Sequence, residues 1–278
     1  MIPDSIYLRI MFKKTIGKRL NLSHPKTFNA KLQWLKLHDR NPLHIELVDK
    51  YEVKEYVSQM LGPEYVIPAY GVWDSFDDIP FKDLPNQFVL KCTHDSGGLV
   101  ICKDKRQLNM EEARKKIESS LQTNYYWIGR EWPYKTVKPR IIAEQYMEDT
   151  DKPGELTDYK IHCFNGEPKL VQVITDRFLD SGMINDHYTL DWDKLDLVRG
   201  HYAVSDKSIP KPPETDEMLK LAKKLCQGTY YVRTDFYIIA HHVYFGEITF
   251  FPASGFNPFH PDKWDRILGE WLKLPTDK

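Results

Sequence analysis

"YVRTDFYIIAHHVYFGEITFFPASGF", residues 231–256, decides the fold. Two runs rich in Tyr, Val, Ile and Phe flank Ala240-His241-His242, so the segment reads as a hairpin with strands near 230–239 and 243–250. Each run carries one acid, Asp235 in the first and Glu247 in the second. Side chains alternate faces along a strand. With a three-residue loop at 240–242, Asp235 falls directly opposite Glu247, with Cβ atoms about 5 Å apart. A two-residue loop would offset the acids by one and turn them to different faces. Thr249 shares the face of Glu247 in either case. Like charges opposed in a sheet destabilise it, and a partly buried carboxyl would be pushed to its neutral form. A divalent cation removes both problems. Oxygen donors alone, few in number, suit Mg2+ rather than zinc. The competing reading is a solvated sheet face with two unrelated acids.

The next informative stretch is "FVLKCTHDSGGLVI", residues 88–101. It delivers Lys91 at the end of a strand, then the loop Thr93-His94-Asp95-Ser96-Gly97-Gly98. Glycines let backbone N–H groups approach a triphosphate, and a lysine supplies a point charge for phosphate. No Gly-Lys-Ser/Thr follows, so this is neither a Walker A loop nor a Rossmann fingerprint. An ordinary hairpin turn accounts for the loop equally well.

Elsewhere, "HPKTFNAKLQWLKLHDR" places Phe28, Leu32 and Leu35 on one helical face with Thr27 as N-cap. "ELVDKYEVKEYVSQMLG" reads as a second amphipathic helix ended by Gly62-Pro63. A charged helix is expected over 109–123, and "PRIIAEQYM" reads as a buried strand. "TDYKIHCFNGEPKLVQVITDRF" is a hairpin turning at Asn165-Gly166. "KPPETDEMLKLAKKLCQG" becomes a helix after its prolines. Strands that follow one another as hairpins, mixed with helices, predict an α+β fold with antiparallel sheets.

The chain has 278 residues and a net charge of −1, which gives no basic field for nucleic acid. No apolar run is long enough to span a bilayer, and the basic N-terminus lacks the apolar core of a signal peptide. Lys13, Lys14, Lys18 and Arg19 read first as a solvated helix face, and second as a peripheral membrane contact. Cys92, Cys102, Cys163 and Cys226 form no C-x-x-C pair, and reduced cytoplasmic thiols are the simplest account.

Taken in order, "VDKYEVKEYV", "FVLKCTHDSGG", "IIAEQYM", "DYKIHCFNG" and "VRTDFYIIAHHVYFGEITFFPASG" resemble the ATP-grasp superfamily. More narrowly, "HPKTFNAKLQWLKLHDRNPL" and "YFGEITFFPASGF" resemble its TupA-like branch, associated with bacterial surface polysaccharides. The resemblance implies two α+β lobes sandwiching ATP, divided as a helical region 1–45, a small lobe 46–143 and a large lobe 144–278. It implies Lys50 and Lys91 as nucleotide-phosphate lysines, and Thr93, His94, Asp95, Ser96, Gly97 and Gly98 as the closing loop. Glu144, Gln145, Tyr146 and Met147 resemble the hinge whose backbone reads adenine. Either Glu148 or Asp158 would hold the ribose. Lys160 would serve phosphate or acceptor, and Arg233 the acceptor anion. Asp235 and Glu247 resemble Mg2+ ligands. Thr249 stands where many relatives carry a ligand Asn.

The activity implied is an ATP-dependent carboxylate–amine ligase working through an acyl phosphate, in the bacterial cytoplasm or at the inner face of the membrane. The context of the branch implies a uronic acid carboxylate of a capsular or cell-wall glycan, joined to an amino acid or small amine. Asp235→Asn and Glu247→Gln are expected to abolish turnover with the fold intact. The rival readings are a glycosyltransferase using a nucleotide sugar, a phosphotransferase that stops at phosphoryl transfer, and a non-catalytic ATP-binding scaffold. The order of lysines, Gly loop, hinge and paired acids, each of which has an ATP reading, argues against the glycosyltransferase.

Overall fold

A computed structural model describes residues 2–148, 156–176 and 182–275. Arg177 and Phe178, read above as a strand end, and residues 149–155 lie outside them. The chain forms two compact units, residues 41–147 and residues 1–40 with 148–278. The N-terminal helices, read above as part of a separate region, therefore belong to the larger unit.

Helices α1 (Asp4–Ile16) and α2 (Phe28–His38) open the chain. The Thr27 side chain accepts from the Ala30 N–H and caps α2 as expected.

The smaller unit begins with α3 (Leu43–Val48) and α4 (Glu52–Leu61). The expected single helix over this stretch is broken at Asp49-Lys50-Tyr51. The Asp49 carboxylate accepts from the N–H groups of Tyr51 (2.8 Å) and Glu52 (3.2 Å) and starts a new helix. There follow β1 (Ala69–Trp73), β2 (Phe88–Cys92), β3 (Leu99–Cys102), α5 (Met110–Leu121), the short α6 (Tyr126–Gly129) and β4 (Ile141–Gln145). The strands form an antiparallel sheet in the order β1-β4-β2-β3. Helix α5 packs on it through Ala113 and Ile117, onto Phe88, Leu90, Cys92 and Ile141.

The larger unit resumes with β5 (Asp158–Phe164), β6 (Glu167–Thr175), β7 (Ile184–Tyr188) and β8 (Val198–Arg199). It continues through α7 (Thr215–Leu225), β9 (Tyr231–Ile239), β10 (His242–Thr249), β11 (Phe259–His260) and α8 (Lys263–Trp271). Its main sheet is antiparallel in the order β10-β9-β5-β6-β7, and α7 packs against β5, β6 and β9. Asn165 and Gly166 turn the β5–β6 hairpin with φ of 49° and 78°, the left-handed pair a tight hairpin needs. Helix α2 is held to the far end of the chain by buried polar contacts. Lys36 Nζ donates to Ser254 O (2.7 Å), Gln33 Nε2 to Gly255 O (3.0 Å), and Lys31 Nζ to Leu272 O (2.7 Å).

The β9–β10 hairpin corrects one expectation. Its loop is two residues, Ala240 and His241, both left-handed with φ of 49° and 61°. His242 pairs with Ile239, and the register runs unbroken to Phe245 opposite Phe236. A β-bulge at Gly246 then inserts one residue, and Glu247 falls opposite Asp235. The pairing is as expected. It is the bulge, not a three-residue loop, that produces it.

Candidate active site

Strand alternation puts Asp158, Lys160 and His162 on one face of β5, and register places Lys160 beside Asp235 and His162 beside Arg233. The Arg233 guanidinium reaches across to both acids. Its Nε donates to Asp235 Oδ1 (2.7 Å). Its Nη2 is 2.7 Å from Asp235 Oδ2, 2.7 Å from Glu247 Oε1 and 3.1 Å from Thr249 Oγ1. Lys160 Nζ donates to Asp235 Oδ2 and lies 3.5 Å from Asp158 Oδ1. The opposed acids therefore share a cation supplied by the chain itself. Burial works to raise the Asp235 carboxyl, but Arg233 and Lys160 outweigh it and hold it below its ordinary value. Burial also works against the Arg233 charge, and Asp235 and Glu247 overcome it and raise its pKa. The acids differ in setting: the side chain of Asp235 is 1% exposed and that of Glu247 44%.

Behind this cluster, His162 bonds Tyr231 Oη (2.7 Å) and Gln172 Oε1 (2.9 Å), and Gln172 Nε2 donates to Asn185 Oδ1 (2.9 Å). His162 is thus a buried structural partner. His241 lies in the turn and pairs with Glu214 (2.9 Å), and His242 begins β10.

In the smaller unit, Lys50 Nζ donates to the carbonyls of Cys92 (3.0 Å) and Asp95, so it braces the base of the Gly loop. The Gly98 N–H donates to the Asp95 carboxylate (3.0 Å to Oδ2), which also accepts from Ser120 Oγ. His94 Nε2 bonds the carbonyls of Ser120 (3.2 Å) and Thr123 (3.1 Å). Thr93 Oγ1 donates to Asp49, and Ser96 Oγ to Tyr125 Oη. A Cβ at Gly98 would lie 2.5 Å from Ser120 Oγ and 2.6 Å from Cys92 Sγ, so glycine is required by the close approach itself.

Lys91 Nζ lies 2.5 Å from Glu144 Oε2, and Lys54 Nζ 2.7 Å from Glu144 Oε1. Burial raises the Glu144 carboxyl, yet Lys91 and Lys54 prevail and hold it down to about 2. Gln145 is exposed, and its N–H donates to Pro68 O (2.9 Å). Tyr146, Met147 and Glu148 are half-buried, with the Lys103 ammonium 5.8 Å from the Tyr146 ring centre.

The sequence of the chain matches the TupA-like ATP-grasp family over residues 30–273. The chain belongs to that family. The ATP-grasp fold accounts for two α+β units with antiparallel sheets. None of the curated proteins matches the chain. Among solved structures, it is similar to the D-alanine–D-alanine ligase of Bacillus anthracis complexed with ATP. The identity there is 16%, with a TM-score of 0.41, covering 73% of this chain and 55% of that one. It is similar to the Helicobacter pylori D-alanine–D-alanine ligase at 16% identity and TM-score 0.46, over 88% and 69% of the two chains. It is also similar to the N5-carboxyaminoimidazole synthetase of Staphylococcus aureus complexed with ADP. That match has 14% identity and a TM-score of 0.45, over 83% and 53%. The chain spans little more than half the length of the first of these relatives.

The residues brought together in the larger unit fit Mg2+ by their chemistry. Three oxygens, from Asp235, Glu247 and Thr249, converge on one cationic nitrogen. Two carboxylates and a hydroxyl are too few for an all-protein cage. They suit an ion that keeps waters and phosphate oxygens as its remaining ligands. Sequence reasoning missed three partners. Lys54, which pairs with Glu144, was read only as part of a helical pattern. Arg140 Nη2, which donates to Asp49 (2.9 Å) and Glu52 (2.7 Å), gave no local signal. The Glu144 side chain was hidden inside a hinge read for its backbone.

Proposed function

We propose that the chain is an ATP-dependent carboxylate–amine ligase. Family membership supports the reading, and the single observation that carries it is the convergence of Asp235, Glu247 and Thr249 oxygens on one cation point. Its substrates are a uronic acid carboxylate of a bacterial surface glycan or its precursor, and an amino acid or small amine. The glycan rests on the resemblance to the TupA-like branch. The need for ATP and four free buried cysteines suit a cytoplasmic enzyme.

In this reading the carboxylate oxygen attacks the γ-phosphorus of ATP. The new O–P bond forms as the bridging P–O bond breaks, and ADP leaves. The amine nitrogen then attacks the acyl carbonyl, loses a proton, and expels phosphate. Phosphoryl transfer asks the protein for positioning and charge neutralisation. Lys50, Lys91 and the Gly97-Gly98 backbone hold phosphate oxygens, and residues 144–147 hold the base. Arg233 and Lys160 are charge-stabilising groups for the acceptor carboxylate and the oxyanion that follows. Asp235 and Glu247, with Thr249, would hold Mg2+, which supplies charge neutralisation at the transferring phosphate.

The test is ADP release by the purified chain with MgATP, screened over uronates and amines, with mass spectrometry for the amide. ADP release that needs both substrates and yields the amide supports the proposal. ADP release with a phosphorylated sugar and no amide would replace it with a phosphotransferase. A thermal shift with UDP-sugars and none with MgATP would replace it with a glycosyltransferase.

A further inference from the structure

Helix α1 has two apolar stripes where a surface helix needs one. The first is buried: Leu8 (0% exposed) and Phe12 (3%) pack with Leu20, Leu22 and Ala30. The second faces outward. Ile6 and Ile10 stand four residues apart on α1, 48% and 55% exposed, and Ile2 just ahead of it is 53% exposed. Helix formation does not explain them. Ile is a middling helix former because branching at Cβ restricts its rotamers. An exposed face built for solubility would carry charged residues there.

The charge around this ridge is one-sided. Arg9, Lys13 and Lys14 lie on the same helix and Lys18 and Arg19 follow its end, all exposed, and Asp4 is the one acid among residues 2–19. Lys18 has an acidic neighbour, Asp262, at 2.5 Å. A second copy of the chain seated on the ridge would bring like charges together. An anionic lipid surface meets both demands: its headgroups match the cations, and the acyl boundary takes the isoleucines. Among the described residues no helix is long and apolar enough to cross a membrane.

We propose that α1 is an interfacial anchor, with Ile2, Ile6 and Ile10 set into an anionic membrane surface and Arg9, Lys13, Lys14, Lys18 and Arg19 at its headgroups. This does not depend on the ligase reading. The test is co-sedimentation of the full chain with vesicles of phosphatidylcholine alone, and of phosphatidylcholine with phosphatidylglycerol. Binding is expected only to the anionic vesicles, weakening as salt rises. Lys13→Gln with Lys14→Gln should lower partitioning about fivefold for each charge removed. Ile6→Gln with Ile10→Gln should lower it by at least about tenfold. All four side chains are exposed, so both variants should keep the wild-type Tm, and the two pairs test the proposal separately. No binding to anionic vesicles at low salt overturns it. So does equal binding to neutral vesicles. A concentration-dependent dimer lost in the isoleucine variant, without vesicle binding, would assign the ridge to a second copy instead.

Discussion

Asp235→Asn and Glu247→Gln remove the same charge from facing positions, yet they should differ sharply in stability. The Asp235 carboxylate is 1% exposed and takes both the Arg233 guanidinium and the Lys160 ammonium. Asparagine would leave two buried cations without their shared anion. Breaking a buried pair from one side costs about 3–5 kcal/mol, a large share of the roughly 5–15 kcal/mol that holds a domain. With a urea slope of about 3 kcal/mol per molar, the midpoint should fall by about 1–2 M. Glu247 is 44% exposed, and a pair so open to solvent is worth about 1 kcal/mol or less. Its substitution by Gln should move the midpoint by no more than about 0.3 M. The expectation that Asp235→Asn leaves the fold untouched therefore does not survive its burial. Urea unfolding followed by tryptophan fluorescence reads both variants, and the Arg233→Met/Asp235→Asn double variant should recover part of the loss through the coupling of the pair. Equal midpoints for the two single variants would refute the reasoning.

Other consequences can be checked separately. Gly98→Ala must displace both Ser120 and Cys92, so the MgATP-induced rise in Tm should disappear while the protein alone loses about 1–3 kcal/mol; an unchanged MgATP shift would remove the loop from the nucleotide site. Stability should also fall below neutral pH. Burial, then Arg199, holds His187 down to about 3, and burial, then Arg233, holds His162 well below its ordinary value. Both stay neutral when folded and gain a proton on unfolding. Their stabilisation is complete above about pH 6.5 and is lost as pH falls below it; for His187 the loss continues toward pH 3, at about 1.4 kcal/mol per unit. Glu144, held at about 2 against an ordinary 4.5, adds loss of the same sign below pH 4.5. A Tm that stays flat from pH 6.5 to 5 would contradict this account.

What could be read from residues alone was whatever is encoded locally. Asn165-Gly166 specified its turn because both positions need left-handed backbone, and Thr27 capped α2 because its hydroxyl is in reach of the Ala30 N–H. Where two local signals competed, the pattern misled. The apolar spacing across residues 46–62 suggested one helix, but the Asp49 carboxylate captures two N–H groups and restarts the chain at Glu52. The β9–β10 loop was open to two lengths, and the deciding feature was Gly246, eleven residues from Asp235. Long-range partners were out of reach. Nothing near Glu144 announces Lys54, and nothing near Gln33 or Lys36 announces the carbonyls of residues 254 and 255. Yet the segments that mark the TupA-like branch, one at each end of the chain, are joined by those last contacts.

The same logic explains how buried acids can be kept ready for a cation. Asp235 and Glu247 could not face each other unneutralised, and Arg233 already supplies the charge that an ion would bring. In the smaller unit the Asp95 carboxylate likewise holds the Gly98 N–H that a phosphate oxygen would take. In the proposed reading, the Asp235–Glu247 pair and the Gly98 N–H each already have an internal partner of the ligand's charge type. Binding is then an exchange of partners rather than the filling of a strained site. The net gain per contact is smaller than the gross contact energy, as for any hydrogen bond made by breaking another. Truncating an internal partner should therefore act in two opposite ways. Asp95→Ala costs the loop its brace in the protein alone, but it also frees the Gly98 N–H, so MgATP should raise the Tm of this variant by more than it raises that of the wild type. An equal or smaller rise would mean that Asp95 braces the loop without competing for the nucleotide.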